Sequence, residues 1–215
     1  LRRDGVEPRV VRVTLTTSRV GHQSNLRTAL TGEDQRLIIG EQVELGLPLH
    51  TMETWGGNVI MAAMLESLHG DKPEDPWYNL REQTKLLEQK LKEVLQKYEK
   101  VIDPDDDQLL LDRYDVSEKR RRAASYRPRR ILSSAELKEL LDKYPTLDPQ
   151  DRKEIERRYL ISQEMLLRGK YIVALQAFSD VDLKFFIETA YKNGVDIFRI
   201  FDALNLQRNI VKAID

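Results

Sequence analysis

Two stretches of the sequence, residues 9–81 and 162–215, alternate between strand-like and helix-like patterns, and this alternation constrains the fold more than any other feature. Short β-branched or apolar runs are followed by helix-like stretches, and those at 31–46 and 179–194 open with an N-cap residue and close at glycine. Strands that alternate with helices build parallel sheets. We therefore expect an α/β fold with a parallel sheet. Its four strands are predicted near residues 10–17, 50–54, 164–168 and 196–201.

The middle of the chain, residues 82–161, differs from both ends because it is highly charged and lacks strand candidates. We interpret it as a charged helical insertion. The sequence then divides into three parts, in which residues 1–81 form the first two βα units, residues 82–161 the insertion, and residues 162–215 the third and fourth βα units.

Helix signals recur through this middle block. Leucines at helical spacing predict an amphipathic helix around residues 86–98. Ser133 and Glu136 have the spacing of a capping box, and Asp148 followed by proline is typical of a helix start. The acidic segment IDPDDDQ at 102–108 is interpreted as a loop.

Composition excludes several classes of site. The 215 residues include no cysteine, which rules out disulfides, thiolate zinc sites and cysteine nucleophiles. The formal net charge of −1 gives no global attraction to nucleic acid or membrane. Every apolar run falls well short of the roughly 18–20 residues that cross a bilayer, so no membrane span is predicted.

The first ten residues hold three arginines against two acidic residues and no apolar segment, so we do not interpret them as a signal peptide. The first residue is Leu, which fits both a processed organellar import precursor and a trimmed fragment. We predict the mitochondrial matrix as the location, with the cytoplasm as the alternative.

Polar side chains follow the first and third predicted strands. Arg19, His22 and Gln23 come after the first strand, and Arg168 comes after the third. Arg19, His22 and Gln23 lie at the mouth of a predicted strand and are candidates for substrate contact. The alternative for the first three is a hydrogen-bond lattice that orders a loop. Arg168 either holds an anion or pairs with a carboxylate such as Glu53 or Asp202.

Four strand-end motifs carry a resemblance to a known family. They are RVGHQS at 19–24, ETWGG at 53–57 with EDPW at 74–77, MLLRG at 165–169, and NGVDIFRIFDALN at 193–205. In this order they resemble the carboxyltransferase domain of biotin-dependent enzymes, a family that includes pyruvate carboxylase, transcarboxylase and the oxaloacetate decarboxylase α subunit. The resemblance covers residues 9–81 and 162–215 and leaves out the middle block.

The resemblance implies a TIM barrel, of which this chain would carry a partial sheet of about four βα units. It also implies carboxyl transfer between carboxybiotin, held on a carrier domain, and pyruvate or oxaloacetate beside a divalent metal. Arg168 matches the family arginine that holds the substrate carboxylate. Gln23 matches a glutamine near the reacting keto group.

The departures from the family pattern concern the metal. Val20 stands where the family has a metal-binding aspartate, and an isopropyl group cannot replace a carboxylate ligand. Leu15 stands where the family has another aspartate. The histidines are His22, His50 and His69, and none has the His-x-His spacing of the remaining family ligands. We therefore expect no metal and no cofactor, and we interpret Arg19, Gln23 and Arg168 as a vestigial substrate site.

A basic run at residues 119–130 is the second candidate site. It contains seven basic residues in twelve, and it could meet an acidic protein surface or phosphate. The alternative is a solvated loop balanced by the acidic residues at 103–107. The residues predicted to contact a partner are Arg120, Arg121, Arg122, Arg127, Arg129 and Arg130.

Four parallel strands do not close into a barrel, and open edges invite pairing unless something covers them. We expect a protein partner on the open side. The favoured hypothesis is a degenerate, non-catalytic subunit of a larger complex. The alternative is the N-terminal half of a split or truncated carboxyltransferase, which would be an enzyme.

Overall fold

The computed structural model describes residues 12–21, 30, 32–47, 49–56, 75, 77–123, 129–172, 176–204 and 206–214. Within these ranges a single sheet contains the strands β1 (Val13–Leu15), β2 (Leu49–Gly56), β3 (Ser162–Leu167) and β4 (Ile197–Ile200). All neighbours are parallel and follow the order β1-β2-β3-β4. The expected α/β class, the parallel pairing and the sequential order are therefore confirmed.

The strands differ from expectation mainly in length. The first strand was predicted to reach residue 17, but it ends at Leu15, where the chain turns into a π-helical turn, Thr17–Gly21. β2 begins and ends slightly outside its predicted range, and its pairing with β3 shifts between Glu53 and Trp55. This irregularity brings Trp55 opposite Met165, in the apolar core on the helix side of the sheet.

Eight α-helices lie in the described ranges. They are α1 (Gly32–Glu44), α2 (Tyr78–Leu95), α3 (Pro104–Leu111), α4 (Glu118–Arg122), α5 (Ser134–Asp142), α6 (Pro149–Tyr159), α7 (Asp180–Lys192) and α8 (Gln207–Val211). None of these helices has both the length and the apolar character needed to cross a bilayer. A helix predicted after the second strand, in residues 58–70, lies outside the described residues.

Capping chemistry sets the helix boundaries of the middle block. The capping box of Ser133 and Glu136 is present at α5, and Asp148 caps α6 as expected. The interpretation of IDPDDDQ as a loop is wrong, because α3 begins there. Asp103 accepts from the backbone N–H of Asp105, and Pro104 occupies the first helical turn, where its missing N–H costs nothing.

The buried apolar residues form two cores, which follow one another along the direction of the strands. The first joins the start of β2 and β3, through Leu49 and Ile161, to α1 and to the helices of the middle block. The second joins the carboxyl-terminal half of the sheet, through Trp55, Met165 and Leu167, to α7 and the start of α2. The middle block therefore packs against the amino ends of the strands. The carboxyl ends of the strands, with the loops that follow them, lie at the other end of the sheet, and we call them the strand mouths.

Helix α2 passes through both cores. Its first turn, at Leu80, belongs to the second core, and its later turns, at Leu87 and Leu91, belong to the first. The boundary predicted between residues 81 and 82 falls inside this helix. The three-part division of the chain stays an interpretation, and α2 is shared between two of its parts.

Candidate functional site

Charged side chains gather on the sheet face opposite the helices. Glu53 and Glu164 are paired across β2 and β3, and both reach Arg199 on β4. Arg199 is ion-paired with Glu53 Oε1, and its Nε lies 3.2 Å from Glu164 Oε1. The hydroxyl of Thr51 donates to Glu164 Oε2 at 2.9 Å. Successive strand residues point to opposite faces of the sheet, so these polar side chains lie on one face and the apolar core residues on the other.

Glu53 is the most deeply buried member of this layer, with no exposed surface. Its Oε1 has Arg199, whereas its Oε2 has no hydrogen-bond partner among the described residues. An ionised carboxylate in such a position depends on nearby positive charge. Arg199, with half of its side chain exposed, supplies that charge from the solvent side.

Arg19 is a second positive charge at Glu53. It lies in the π-helical turn after β1, where its backbone N–H donates to the carbonyl of Thr16 at 3.2 Å. Burial lowers the pKa of the Arg19 guanidinium, the Glu53 carboxylate opposes that change, and the positive charges of Arg199 and Arg168 add to it. Two guanidinium groups, those of Arg19 and Arg199, therefore act on the buried Glu53 carboxylate.

Arg168 lies just beyond β3, beside a cavity of about 390 Å³ at the carboxyl ends of β3 and β4. The chain bends back here, with Gly169 in the left-handed region (φ +49°) and the Arg168 N–H donating to the Ile172 carbonyl at 2.9 Å. A Cβ on Gly169 would approach the Asn209 carbonyl to 2.5 Å, so the close approach of α8 requires glycine. The cavity is lined by Arg168, Tyr171, Phe201, Asp202, Ala203, Leu204 and Asn209.

Asp202, one of the two carboxylates proposed for Arg168, is held by its own loop. It accepts from the backbone N–H groups of Leu206 at 2.8 Å and Leu204 at 3.1 Å, and from Asn209 Nδ2 at 2.9 Å. These hydrogen bonds lower the pKa of Asp202, led by the one from Leu206. The carboxylate therefore orders the turn after β4.

Arg19 and Arg168, two residues of the predicted substrate site, each lie just beyond the carboxyl end of a strand, β1 and β3 respectively. Their role in binding a substrate stays a prediction. Gln23, His22 and His69 lie outside the described residues. Sequence reasoning missed Arg199 and Glu164 as members of the cluster. The alternation of side chains along a strand could have identified them, because it puts both on the same sheet face as Glu53.

The described residues do not fit the divalent metal that the family resemblance implies. Position 20, after β1, is a valine, whose side chain offers no donor atom. Glu53 and Glu164 already bind Arg199. No group of three His, Asp or Glu side chains within the described ranges is arranged to hold a metal ion.

The basic run divides into exposed and buried arginines, and the prediction that Arg129 contacts a partner is wrong. Arg129 is 4% exposed, and its Nη2 lies 2.7 Å from Asp196 Oδ1. Arg122 and Arg130 are exposed, as a partner contact requires, although Arg122 is ion-paired with Glu118. Arg127 lies outside the described residues.

Arg120 and Arg121 are half-buried. Arg120 Nη1 lies 4.0 Å from an Asp115 carboxylate oxygen, and Arg121 Nε donates to the Val116 carbonyl at 3.2 Å. Both therefore contact the loop that precedes α4. For these two residues, as for Arg122 and Arg130, contact with a partner stays a prediction.

Asp196 is the centre of a buried ion cluster that sequence reasoning missed. Arg113, from the middle block, donates to both of its oxygens at 2.9 and 3.0 Å, and Arg129 Nη2 donates to its Oδ1 at 2.7 Å. Burial alone would lower the pKa of Arg113, but the Asp196 carboxylate outweighs it and the pKa is raised. The cluster ties the middle block to the start of β4, far along the strands from Arg168.

Short stretches of the chain are similar in sequence to subunits of carboxylases and carboxyltransferases. No family model matches the chain. A pyruvate carboxylase subunit of Methanothermobacter thermautotrophicus is 53% identical over 51 residues, which are 24% of this chain and 9% of that protein. The methylmalonyl-CoA carboxyltransferase 5S subunit of Propionibacterium freudenreichii is 33% identical over 69 residues, or 31% of this chain and 14% of that protein.

The matches that cover most of the chain have lower sequence identity. The pyruvate carboxylase of Bacillus subtilis is 25% identical over 209 residues, covering 97% of this chain and 12% of that protein. The carboxyl transferase domain of Rhizobium etli pyruvate carboxylase, solved with oxalate, superposes with a TM-score of 0.52 at 24% identity, covering 95% of this chain and 22% of that one. The chain thus spans a small part of each relative, and the match extends to their TIM-barrel fold.

Proposed function

We propose a function for this chain from its similarity, in sequence and in fold, to the carboxyltransferase domains of pyruvate carboxylase. It is a degenerate member of that fold, and it serves as a non-catalytic structural or accessory subunit of a larger, mitochondrial complex. The observation that carries the proposal is Val20, which stands at the mouth of β1 where the family pattern has a metal-binding carboxylate.

The electrostatics of the sheet face support this proposal. Enolate formation from a keto acid needs a positive centre fixed at the keto oxygen, a role that a metal ion fills as a Lewis acid. In this chain the carboxylates of Glu53 and Glu164 are ion-paired with Arg199. Such internal pairing compensates the charge of the buried carboxylates and leaves them unsuited to binding a cation.

The test measures metal binding and turnover in the full chain. Calorimetric titration with Mn²⁺ should show no saturable binding, and oxaloacetate should decarboxylate no faster than in buffer with the same Mn²⁺ concentration. Val20→Asp alone should change neither result, because one added carboxylate falls short of the several oxygen ligands that a hard divalent ion needs. Stoichiometric binding that disappears in His22→Ala would overturn the proposal.

A second candidate function is favoured by the cavity beside Arg168. A guanidinium at the rim of a mostly apolar cavity at the strand mouths could hold a small carboxylate, as the N-terminal half of a split carboxyltransferase would require. In that case the chain, mixed with its natural partner and a biotinylated carrier, should turn over. Val20→Asp should then increase the rate and Arg168→Ala should abolish it. Absence of turnover in this mixture supports the structural function.

A further inference from the structure

The charged middle block contains a sequence repeat that its helices follow. LKEVLQKY at 91–98 recurs as LKELLDKY at 137–144. Each copy continues through a short loop into an Asp-Pro-x-Asp sequence, at 103–106 and 148–151, and each ends in Arg-Tyr, at 113–114 and 158–159. The Asp-Pro and Arg-Tyr pairs are equally spaced in the two copies. A fixed order of matched motifs at a nearly constant offset is the signature of an internal repeat.

Corresponding residues of the two copies have the same burial. The apolar positions that precede each Lys-Tyr pair are buried, and so are those before each Asp-Pro pair, namely Ile102 and Leu147. The centre of each second helix is buried at Leu110 and Ile155. The buried pairs are Leu91 and Leu137, Val94 and Leu140, Leu95 and Leu141, Ile102 and Leu147, Leu110 and Ile155, and Tyr114 and Tyr159.

The polar contacts of the repeat are reciprocal. Tyr98, in the first copy, donates to Asp151 Oδ2 at 2.8 Å and accepts from the backbone N–H of Asp148 at 3.2 Å, so it closes the start of α6 in the second copy. Tyr144, in the second copy, donates to Asp106 Oδ2 at 2.6 Å and accepts from the backbone N–H of Asp103 at 3.1 Å. It thereby closes the start of α3 in the first copy.

The lysine before each tyrosine completes the contact. Lys97 Nζ lies 2.8 Å from Asp151 Oδ1, and Lys143 Nζ lies 3.0 Å from Asp106 Oδ2. Each Asp-Pro-x-Asp helix start is therefore held by a Lys-Tyr pair of the other copy. We call these two contacts the clasps: the first joins Lys97 and Tyr98 to α6, and the second joins Lys143 and Tyr144 to α3.

We infer that residues 91–159 are a duplicated helical hairpin whose two copies clasp each other with pseudo-two-fold symmetry, as a device that locks the middle block. A single hairpin cannot bury its apolar stripe, and two copies packed face to face can. The terminal Arg-Tyr pairs have diverged. Arg113 binds Asp196 at the start of β4, and Arg158 lies 3.5 Å from Glu44 at the end of α1.

The crossed geometry gives a test by hydrogen–deuterium exchange of the full chain. Tyr98→Phe should speed amide exchange at the start of α6, residues 148–152, and leave the start of α3 unchanged. Tyr144→Phe should do the reverse, at residues 103–107. Each tyrosine substitution removes two hydrogen bonds at one clasp, which predicts roughly five- to a hundredfold faster exchange, similar in the two variants. Tyr78→Phe, on α2 outside the repeat, is the matched control.

Two outcomes would overturn the inference. One is faster exchange only within the copy that carries the Tyr→Phe substitution, because the clasps would then not cross. The other is an effect at one clasp and none at the other. Asp106→Asn should speed exchange at the start of α3, as Tyr144→Phe does, and Asp151→Asn should speed it at the start of α6, as Tyr98→Phe does. This agreement guards against a local packing defect from the tyrosine changes.

Discussion

Arg129 and Arg130 are neighbours in the same basic run, but the structure gives them opposite environments. Arg129 is buried against Asp196 and the ring of Tyr191, and Arg130 is exposed. Nothing in the run itself separates the two, because both follow Pro128 in a segment without periodicity. The distinction comes from Asp196, far along the chain, which needs compensating charge when it is buried.

This difference predicts the stability of three variants. Arg129→Ala should lower the free energy of unfolding by about 3 kcal/mol, the usual result of removing one partner from a buried ion pair. Arg113→Ala should lower the free energy of unfolding by more than this, because Arg113 binds both Asp196 oxygens. Arg130→Ala should change it by less than about 0.5 kcal/mol, as exposed sites do. Urea unfolding at neutral pH measures all three. Equal losses for Arg129 and Arg130 would contradict the buried cluster.

At the scale of elements, the duplicated hairpin explains why the segment at 102–108 is helical. Its three consecutive aspartates resemble a solvated loop, but Asp-Pro at a helix start provides both the cap and the first turn. The same pair starts α6 in the second copy, where it was predicted correctly. Alignment of the two copies was therefore the signal in the sequence that could have identified α3.

The clasps should make the middle block sensitive to acid. The hydrogen bond from Tyr144 lowers the pKa of Asp106, and the one from Lys97 lowers the pKa of Asp151. A carboxyl group with a lowered folded pKa stabilises the fold above its unfolded pKa and loses that contribution as the pH falls through the folded value. We expect exchange at residues 103–107 and 148–152 to rise below about pH 4, near the ordinary aspartate pKa.

The control is the chain carrying both Asp106→Asn and Asp151→Asn. It should exchange faster at neutral pH, since the charge of each clasp is gone, and its exchange at these amides should depend less on acid. If the unaltered chain and this variant respond equally to acid, other carboxylates govern the transition and the clasps are not its cause.

At the scale of the whole molecule, the middle block and the strand mouths lie at opposite ends of the sheet. Among the described strands, β1 and β4 each pair with one neighbour, so the sheet offers edges for a partner. The exposed cations of the basic run, Lys119, Arg122 and Arg130, lie with the middle block. A partner bound there would leave the strand mouths open, which suits a structural role.

Changing Lys119, Arg122 and Arg130 together to Ser tests this partner surface. Complexes recovered from the source cells through a tag on the chain should weaken at low salt, where exposed charges attract most strongly, and the difference should shrink at high salt. The matched control replaces the exposed Lys100, Lys138 and Lys153 by Ser. If both triple variants assemble like the original chain at low salt, the basic run is a solvated loop.

The sequence by itself determined the α/β class, the four parallel strands in chain order, and the caps at Ser133 and Asp148, because periodicity and capping are local properties. Only the tertiary structure decided which charges meet. Glu53 with Arg199, and Asp196 with Arg113 and Arg129, are pairs separated by many residues. Burial selects such pairs, since a charge removed from water requires a partner that chain folding alone brings near.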